Sequence, residues 1–214
     1  METRVFFEDL ANKGLRVMFL GNSMTYREAA PEMGWYNSWG MAASAKEKDY
    51  VHLCISRIKE HHPDAAFCIC QGCEWEVYHK HGFEGYAIYE QARKFEADII
   101  VMRLVENCSK EEYEKKDFLE ELGRLLEYLN PNNKAVVIMT TGFWKHPADE
   151  AIRVYAEENN LPLCELGDLE DLDEMKALGL FEDDGVASHP GDLGMEKMAD
   201  RICDIMFKLD EFKG

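Results

Sequence analysis

A hydroxyl attacks an ester only when a neighbouring group takes its proton, so a serine at a sharp turn and a histidine able to face it are the residues that matter first. Gly21-Asn22-Ser23-Met24-Thr25 follows the apolar run 15–20, and Ser188-His189-Pro190-Gly191-Asp192 comes just ahead of an apolar stripe that begins near Met195. A hydroxyl at the carboxyl end of a strand, beside a glycine that permits a tight turn, is placed for attack. A serine after a strand is also a common helix cap. Ser23 therefore counts only if His189 lies over the end of the same strand.

The elements that would bring them together can be read from periodicity. Residues 15–20, 65–70, 98–104, 135–140 and 161–166 are short apolar runs of strand length. Between them Tyr50, Leu53, Cys54 and Ile58 repeat at helical spacing, as do Phe118, Leu122, Leu125, Leu126 and Leu129, and Met195, Met198, Ile202, Ile205 and Leu209. Continuous apolar strands alternating with helices predict a parallel sheet buried on both faces. The expected fold is a three-layer α/β/α sandwich with a five-stranded, mostly parallel, flavodoxin-like sheet, in one domain over residues 1–214. No linker, repeat or composition shift divides it. The long stretch from Thr25 to about Ala43 follows the first strand, and a loop of that length in a compact domain is usually functional.

With both ends of the chain in view, the sequence resembles the SGNH, or GDSL-like, hydrolase family over roughly residues 15–205. Gly21-Asn22-Ser23-Met24 looks like the family's Gly-Asp-Ser-Leu block. Asn107, in Arg103-Leu104-Val105-Glu106-Asn107, looks like the asparagine of its third block, and His189-Pro190-Gly191-Asp192-Leu193-Gly194-Met195 resembles the last. The resemblance implies a serine esterase with Ser23 as nucleophile and His189 as general base. It also implies an oxyanion hole made of the Ser23 backbone N–H, a glycine N–H after the second strand, for which Gly72 is the candidate, and the Asn107 side chain.

Two departures stand out. Asn22 replaces the family's aspartate, keeping its shape and losing its charge. Val186 occupies the position of the aspartate that ordinarily orients the histidine, and valine cannot accept the imidazole proton. Asp184 or Asp183 could reach back across Gly185, a backbone carbonyl could orient a Ser-His dyad, or Glu106 could assist from another loop; Asp184 is the expectation carried forward. Asp192 reads instead as the N-cap of the last helix.

Attack on an acyl carbonyl by this pair requires a neutral His189, so activity should fall as the histidine titrates. All four tryptophans follow strand ends: Trp35 and Trp39 after the first, Trp75 after the second and Trp144 after the fourth, with Tyr36, Tyr78 and Phe143 beside them. Aromatic walls suit a sugar ring, and the resemblance implies esterases that include carbohydrate deacetylases. The expected substrates are therefore small esters, foremost O-acetyl groups of saccharides. The same rings could equally anchor long loops.

Composition narrows the partners. A formal charge of -18 disfavours nucleic acid and anionic membranes. The amino end lacks a basic start and an apolar run, no apolar stretch approaches membrane-spanning length, and seven cysteines without an export signal read as reduced thiols, so a cytoplasmic location is expected. Cys68, Cys70 and Cys73 with His79 and His81 lack the paired spacing of structural zinc; neither metal nor cofactor is expected. The alternative is a flavodoxin-like domain that holds a flavin or phosphate with Ser23, Thr25 and nearby backbone N–H groups. It would leave His189 and Asn107 without a role.

Overall fold

Unbroken apolar strands are stable only where both faces of their sheet are covered, and this requirement organises the chain. The structure is a computed structural model that describes residues 4–79, 84–111 and 113–213. Its strands are β1 (Val5–Glu8), β2 (Arg16–Gly21), β3 (Ala66–Gln71), β4 (Ile99–Arg103), β5 (Val136–Thr140) and β6 (Leu163–Cys164), ordered β1-β3-β2-β4-β5-β6. From β3 onward all neighbours run parallel, in the flavodoxin-like order expected. The sheet has six strands rather than five. β1 pairs antiparallel with β3, setting Val5 opposite Cys70 and Glu8 opposite Phe67. Its Val-Phe-Phe run is too short to carry a period of its own, and it forms by covering the open hydrogen-bonding edge of β3.

Successive strand residues alternate between two cores. Val17, Phe19, Phe67, Ile69, Val101 and Ile138 face the helices α1 (Tyr50–His61) and α7 (Asp192–Met206). Met18, Leu20, Cys68, Cys70, Met102 and Met139 face the other layer, which includes α2 (Cys73–Tyr78), α3 (Glu90–Lys94), α4 (Lys115–Leu129) and α5 (Asp149–Glu158). The apolar stripes on α1, α4 and α7 face the core and are buried apart from Leu53 and Ile205, which are half-buried, while Leu209 lies past the end of α7. A four-residue turn of helix, α6 (Asp184–Ala187), precedes α7. Among the described residues no helix is long and apolar enough to cross a membrane.

The order of strands reverses between β2 and β4, which opens a crevice beyond their carboxyl ends. Three loops meet there: Asn22 to Asp49 after β2, the turn after β4, and the α6–α7 connection. The first is not slack. It doubles back through bridges between Arg27 and Trp39 and between Ala30 and Trp35, and Asp49 ties it to α1 by capping the His52 N–H at 2.8 Å while accepting from the Gly40 N–H at 3.0 Å.

Candidate active site

The turn that presents Ser23 depends on the absence of a side chain at Gly21. A Cβ there would collide with the Thr25 side chain and crowd the Arg103 carbonyl. Thr25 and Tyr26 both donate backbone N–H groups to the Asn22 carbonyl, at 2.9 and 3.0 Å, and this closes the turn with Ser23 at its bend. The Thr25 hydroxyl is buried against the Tyr50 hydroxyl at 2.6 Å. It is therefore turned inward, away from any anion that a flavin-type phosphate loop would have to hold.

Ser23 Oγ lies 2.9 Å from His189 Nε2. His189 sits in the α6–α7 connection, where its N–H donates to the Val186 carbonyl at 3.0 Å and its carbonyl accepts from Ala177 at 2.9 Å. The ring nitrogen Nδ1 is 2.7 Å from the Gly185 carbonyl. A carbonyl only accepts, so Nδ1 carries the proton and Nε2 turns its lone pair to the serine hydroxyl. Burial pushes the imidazole down to about 4, and the Arg103 charge adds to this against the pull of the Gly185 carbonyl. At neutral pH it is a free base.

This geometry corrects the expected acid partner. Asp184 is exposed on the first turn of α6 and its carboxylate does not occupy Nδ1. Asp183 caps that helix through the Val186 N–H at 2.9 Å. Of the three arrangements left open by Val186, the backbone carbonyl is the one present. Asp192 is not the N-cap of α7 either: Gly191 holds that position, and the Asp192 carboxylate binds the Ser44 N–H at 2.8 Å, the Ser44 hydroxyl at 2.7 Å and Lys48 Nζ at 2.8 Å. It pins the long loop to the helix that follows His189.

Two of the donors expected for an oxyanion hole are held by other groups. The Gly72 N–H is spent on the Gly21 carbonyl at 2.7 Å, and a Cβ at Gly72 would press on the Leu104 and Leu20 side chains. Gly72 is there for packing between β2 and β4, and it supplies no donor to a substrate. Asn107 lies exposed in the turn after β4 with its Nδ2 donating to Glu76 Oε2 at 2.6 Å.

Glu76, which no sequence motif marked, belongs to a buried polar cluster directly behind the serine. Asn22 Nδ2 donates to Glu76 Oε1 at 3.1 Å and to Glu106 Oε2 at 2.7 Å, which satisfies both of its hydrogens. Arg103, fully buried at the end of β4, donates to Asn22 Oδ1 and to Glu106 Oε1. Glu106 also accepts from the Phe143 N–H at 2.9 Å. An amide at position 22 can bridge two carboxylates and one guanidinium because it both donates and accepts. An aspartate could not.

The tryptophans divide. Trp35 is fully buried beneath the long loop, with its indole N–H on the Arg27 carbonyl at 3.3 Å, and Trp75 is fully buried in the α2 side of the core, stacked on His79. Neither can line a substrate site. Half-buried Trp39 ties the loop through the Ala43 carbonyl at 3.0 Å and meets Trp35 edge-on. Of the four, Trp144 stands beside His189, its ring edge-on to the imidazole at 4.7 Å and its N–H on the Ser188 carbonyl at 3.1 Å. It borders a cavity of about 350 Å3 lined by Glu106, Lys110, Trp144, His146, Glu170 and Ser188. Of the neighbouring aromatics, Phe143 is buried, while Tyr36 and Tyr78 are exposed.

Of the three cysteines in and just after β3, Cys73 is half-buried at the start of α2. Cys68 and Cys70 point into the core, where burial pushes both thiols up, and His79 Nδ1 contacts the Glu76 carbonyl at 2.9 Å. His81 lies outside the described residues. Among the described residues no group of three or more His, Cys, Asp or Glu is placed to hold a metal ion.

No family model and no curated protein matches the chain. Solved structures do. The psychrotrophic esterase EstA from Pseudoalteromonas sp., seen inhibited by monoethylphosphonate, is 13% identical with a TM-score of 0.58, over 90% of this chain and 97% of that one. A two-domain esterase active on acetylated mannans, co-crystallised with mannopentaose, is 18% identical with a TM-score of 0.59 over 94% of this chain, which spans about half of it (51%). A family two carbohydrate esterase from Clostridium thermocellum is 15% identical with a TM-score of 0.61, over 92% of this chain and 65% of that one. Lipolytic proteins of the G-D-S-L family from Veillonella parvula and Desulfitobacterium hafniense share the fold too. The fold is therefore that of SGNH/GDSL-type hydrolases.

Proposed function

We propose that this protein is a serine ester hydrolase that works through a Ser23–His189 dyad. The observation that carries the reading is the 2.9 Å contact between Ser23 Oγ and His189 Nε2, with the tautomer set by the Gly185 carbonyl, at the crevice where this fold binds ligands. His189 takes the Ser23 proton as Oγ attacks the acyl carbon. The tetrahedral oxyanion is met by the Ser23 backbone N–H and the free hydrogen of Asn107 Nδ2. His189 then gives its proton to the departing alkoxide, and a water activated by the same ring clears the acyl-enzyme, releasing the acid and restoring Ser23.

The substrate within this proposal is a small acyl ester of a hydroxylated alcohol, with O-acetyl saccharides foremost. Two supports remain after Trp35 and Trp75 are set aside: Trp144 beside His189 with the polar cavity it borders, and the carbohydrate esterases among the structures of like fold. Its seven free thiols suit a reducing compartment, and we place the enzyme in the cytosol on that ground.

The decisive experiment pairs p-nitrophenyl acetate hydrolysis with covalent trapping. Wild type is expected to turn over the ester and to take up one equivalent of a p-nitrophenyl phosphonate on Ser23, seen by mass spectrometry. Ser23→Ala is expected to do neither. Equal rates in the two proteins, or a phosphonate adduct elsewhere, would remove the dyad from the chemistry.

A further inference from the structure

Asn107 is an exposed turn residue, yet its amide is held by a side chain that is fully buried. Glu76 Oε2 accepts from Asn107 Nδ2 at 2.6 Å, and Glu76 Oε1 accepts from Asn22 Nδ2 at 3.1 Å and is approached by the Asn107 backbone N–H at 3.5 Å. A carboxylate accepts and cannot donate, so it holds the NH2 end of Asn107 against itself. The second hydrogen of that NH2 remains for a substrate oxygen. A flipped amide would put Oδ1 there and offer a lone pair to a developing negative charge.

We propose that Glu76 is a positioning residue of this site: its carboxylate selects the one orientation of Asn107 that donates to the oxyanion, and protonating that carboxylate releases the amide. The proposal rests on the hydrolase reading of Ser23, His189 and Asn107. With both Glu76 oxygens already facing N–H groups, an added proton on either must break a contact. A carboxylic O–H then favours the flipped amide, whose Oδ1 can accept from it.

The electrostatic setting puts this event in a useful range. Burial, and then the charge of Glu106, push the Glu76 carboxyl up to about 7, against the hydrogen bonds from Asn107 and Asn22 and the charge of Arg103. The other titratable groups facing it are Cys73 at the start of α2 and Cys108 after β4. Burial raises both thiols, Cys73 to about 11 and Cys108 further, so neither ionises near neutrality. His79 meets the Glu76 backbone carbonyl rather than its carboxylate. His189 is already a free base well below this range. A fall in activity below pH 7 therefore belongs to Glu76.

The test is the pH dependence of kcat/KM on p-nitrophenyl acetate between about pH 5 and about pH 9 for wild type, Glu76→Gln and Asn107→Ala, with Ser23→Ala as the control for the reading beneath it. At about pH 6, one unit below the Glu76 midpoint of about 7, wild type should stand about tenfold below its alkaline plateau. Glu76→Gln and Asn107→Ala should lose that limb, with Asn107→Ala slower by about 10² to 10³ on the alkaline plateau and the gap to wild type closing as pH falls. An unchanged limb in Glu76→Gln overturns the proposal. A second measurement needs no variant at Glu76: in the wild-type 1H–15N spectrum the Asn107 side-chain NH2 pair should shift with a midpoint near 7, and a pair that stays fixed across the range overturns it equally. Equal hydrolysis by wild type and Ser23→Ala would sink the hydrolase reading alone, while the spectrum would still decide whether Glu76 sets the Asn107 amide.

Discussion

Replacing Asn22 by aspartate would install the residue found in the motif that this chain resembles, and the structure says it should harm this protein. Asn22 Nδ2 gives one hydrogen to Glu76 and one to Glu106, and Oδ1 accepts from Arg103. Asn22→Asp converts both donations into contacts between negative oxygens and leaves Arg103 facing three buried acids. Two hydrogen bonds to charged acceptors are lost, each worth about 1.5–3 kcal/mol, and a stronger bond to Arg103 returns part of this, leaving a net loss of about 2–4 kcal/mol near pH 8. The loss has a sign in pH. The new carboxyl would have a folded-state pKa above its unfolded value of about 3.9, so the folded state binds a proton first and the deficit shrinks as pH falls between those values. Urea unfolding of both proteins at about pH 8 and about pH 6 reads this directly. A variant as stable as wild type at the higher pH, or one whose deficit grows on acidification, would refute the account of Asn22 as a two-way bridge.

Three further outcomes follow from named contacts. Asp184→Asn should leave kcat/KM on p-nitrophenyl acetate within about twofold of wild type, because the Gly185 carbonyl holds Nδ1; a drop of the size seen when a triad carboxylate is lost, up to about 10⁴, would return Asp184 to the site. Trp75→Ala should cost about 3–5 kcal/mol by leaving a cavity in the core, whereas Trp144→Ala should spare stability and raise KM for acetylated saccharides; matching stability losses would undo the division between the two rings. Burial pushes His52 down, but the contacts with Asp49 and Glu8 together outweigh it and raise the imidazole to about 9. His52→Gln should therefore destabilise by about 3 kcal/mol below pH 6.5, where the wild-type advantage is complete, and the gap should close as pH rises through about 9. A gap that does not change with pH in unfolding experiments would exclude a charged His52.

The parts of this site that could be read in the sequence are those fixed by period and punctuation. Five strands, the apolar faces of α1, α4 and α7, and the approach of Ser23 to His189 depend on repeats and on glycine placement, which survive without side-chain coordinates. β1 was hidden because four residues carry no period and gain their strand character from β3. Gly72, Asp184 and the inward tryptophans were misplaced for a different reason. A motif position names a residue type, but whether its N–H is free, its carboxylate faces inward or its ring is covered depends on partners far along the chain. Gly72 meets Gly21, and Trp35 packs near Val186. Glu76 was invisible on the same ground, since its partners Asn22 and Asn107 lie 54 and 31 residues away.

In the proposed dyad no carboxylate among the described residues meets His189 Nδ1, which separates two tasks that one residue ordinarily combines. The Gly185 carbonyl fixes the tautomer and aims Nε2 at Ser23, so orientation is kept. What it lacks is a full negative charge to stabilise the imidazolium that forms as the serine is deprotonated. With the imidazole down at about 4 in the free enzyme, His189 is a weak base for that first transfer. The imidazolium, once formed, is correspondingly a strong acid and protonates the departing alkoxide readily. Such a balance slows attack and favours expulsion, which places the burden of catalysis on the oxyanion donors that lower the barrier to attack. Under the proposed mechanism that burden falls on Asn107, and hence on the buried Glu76 that holds it.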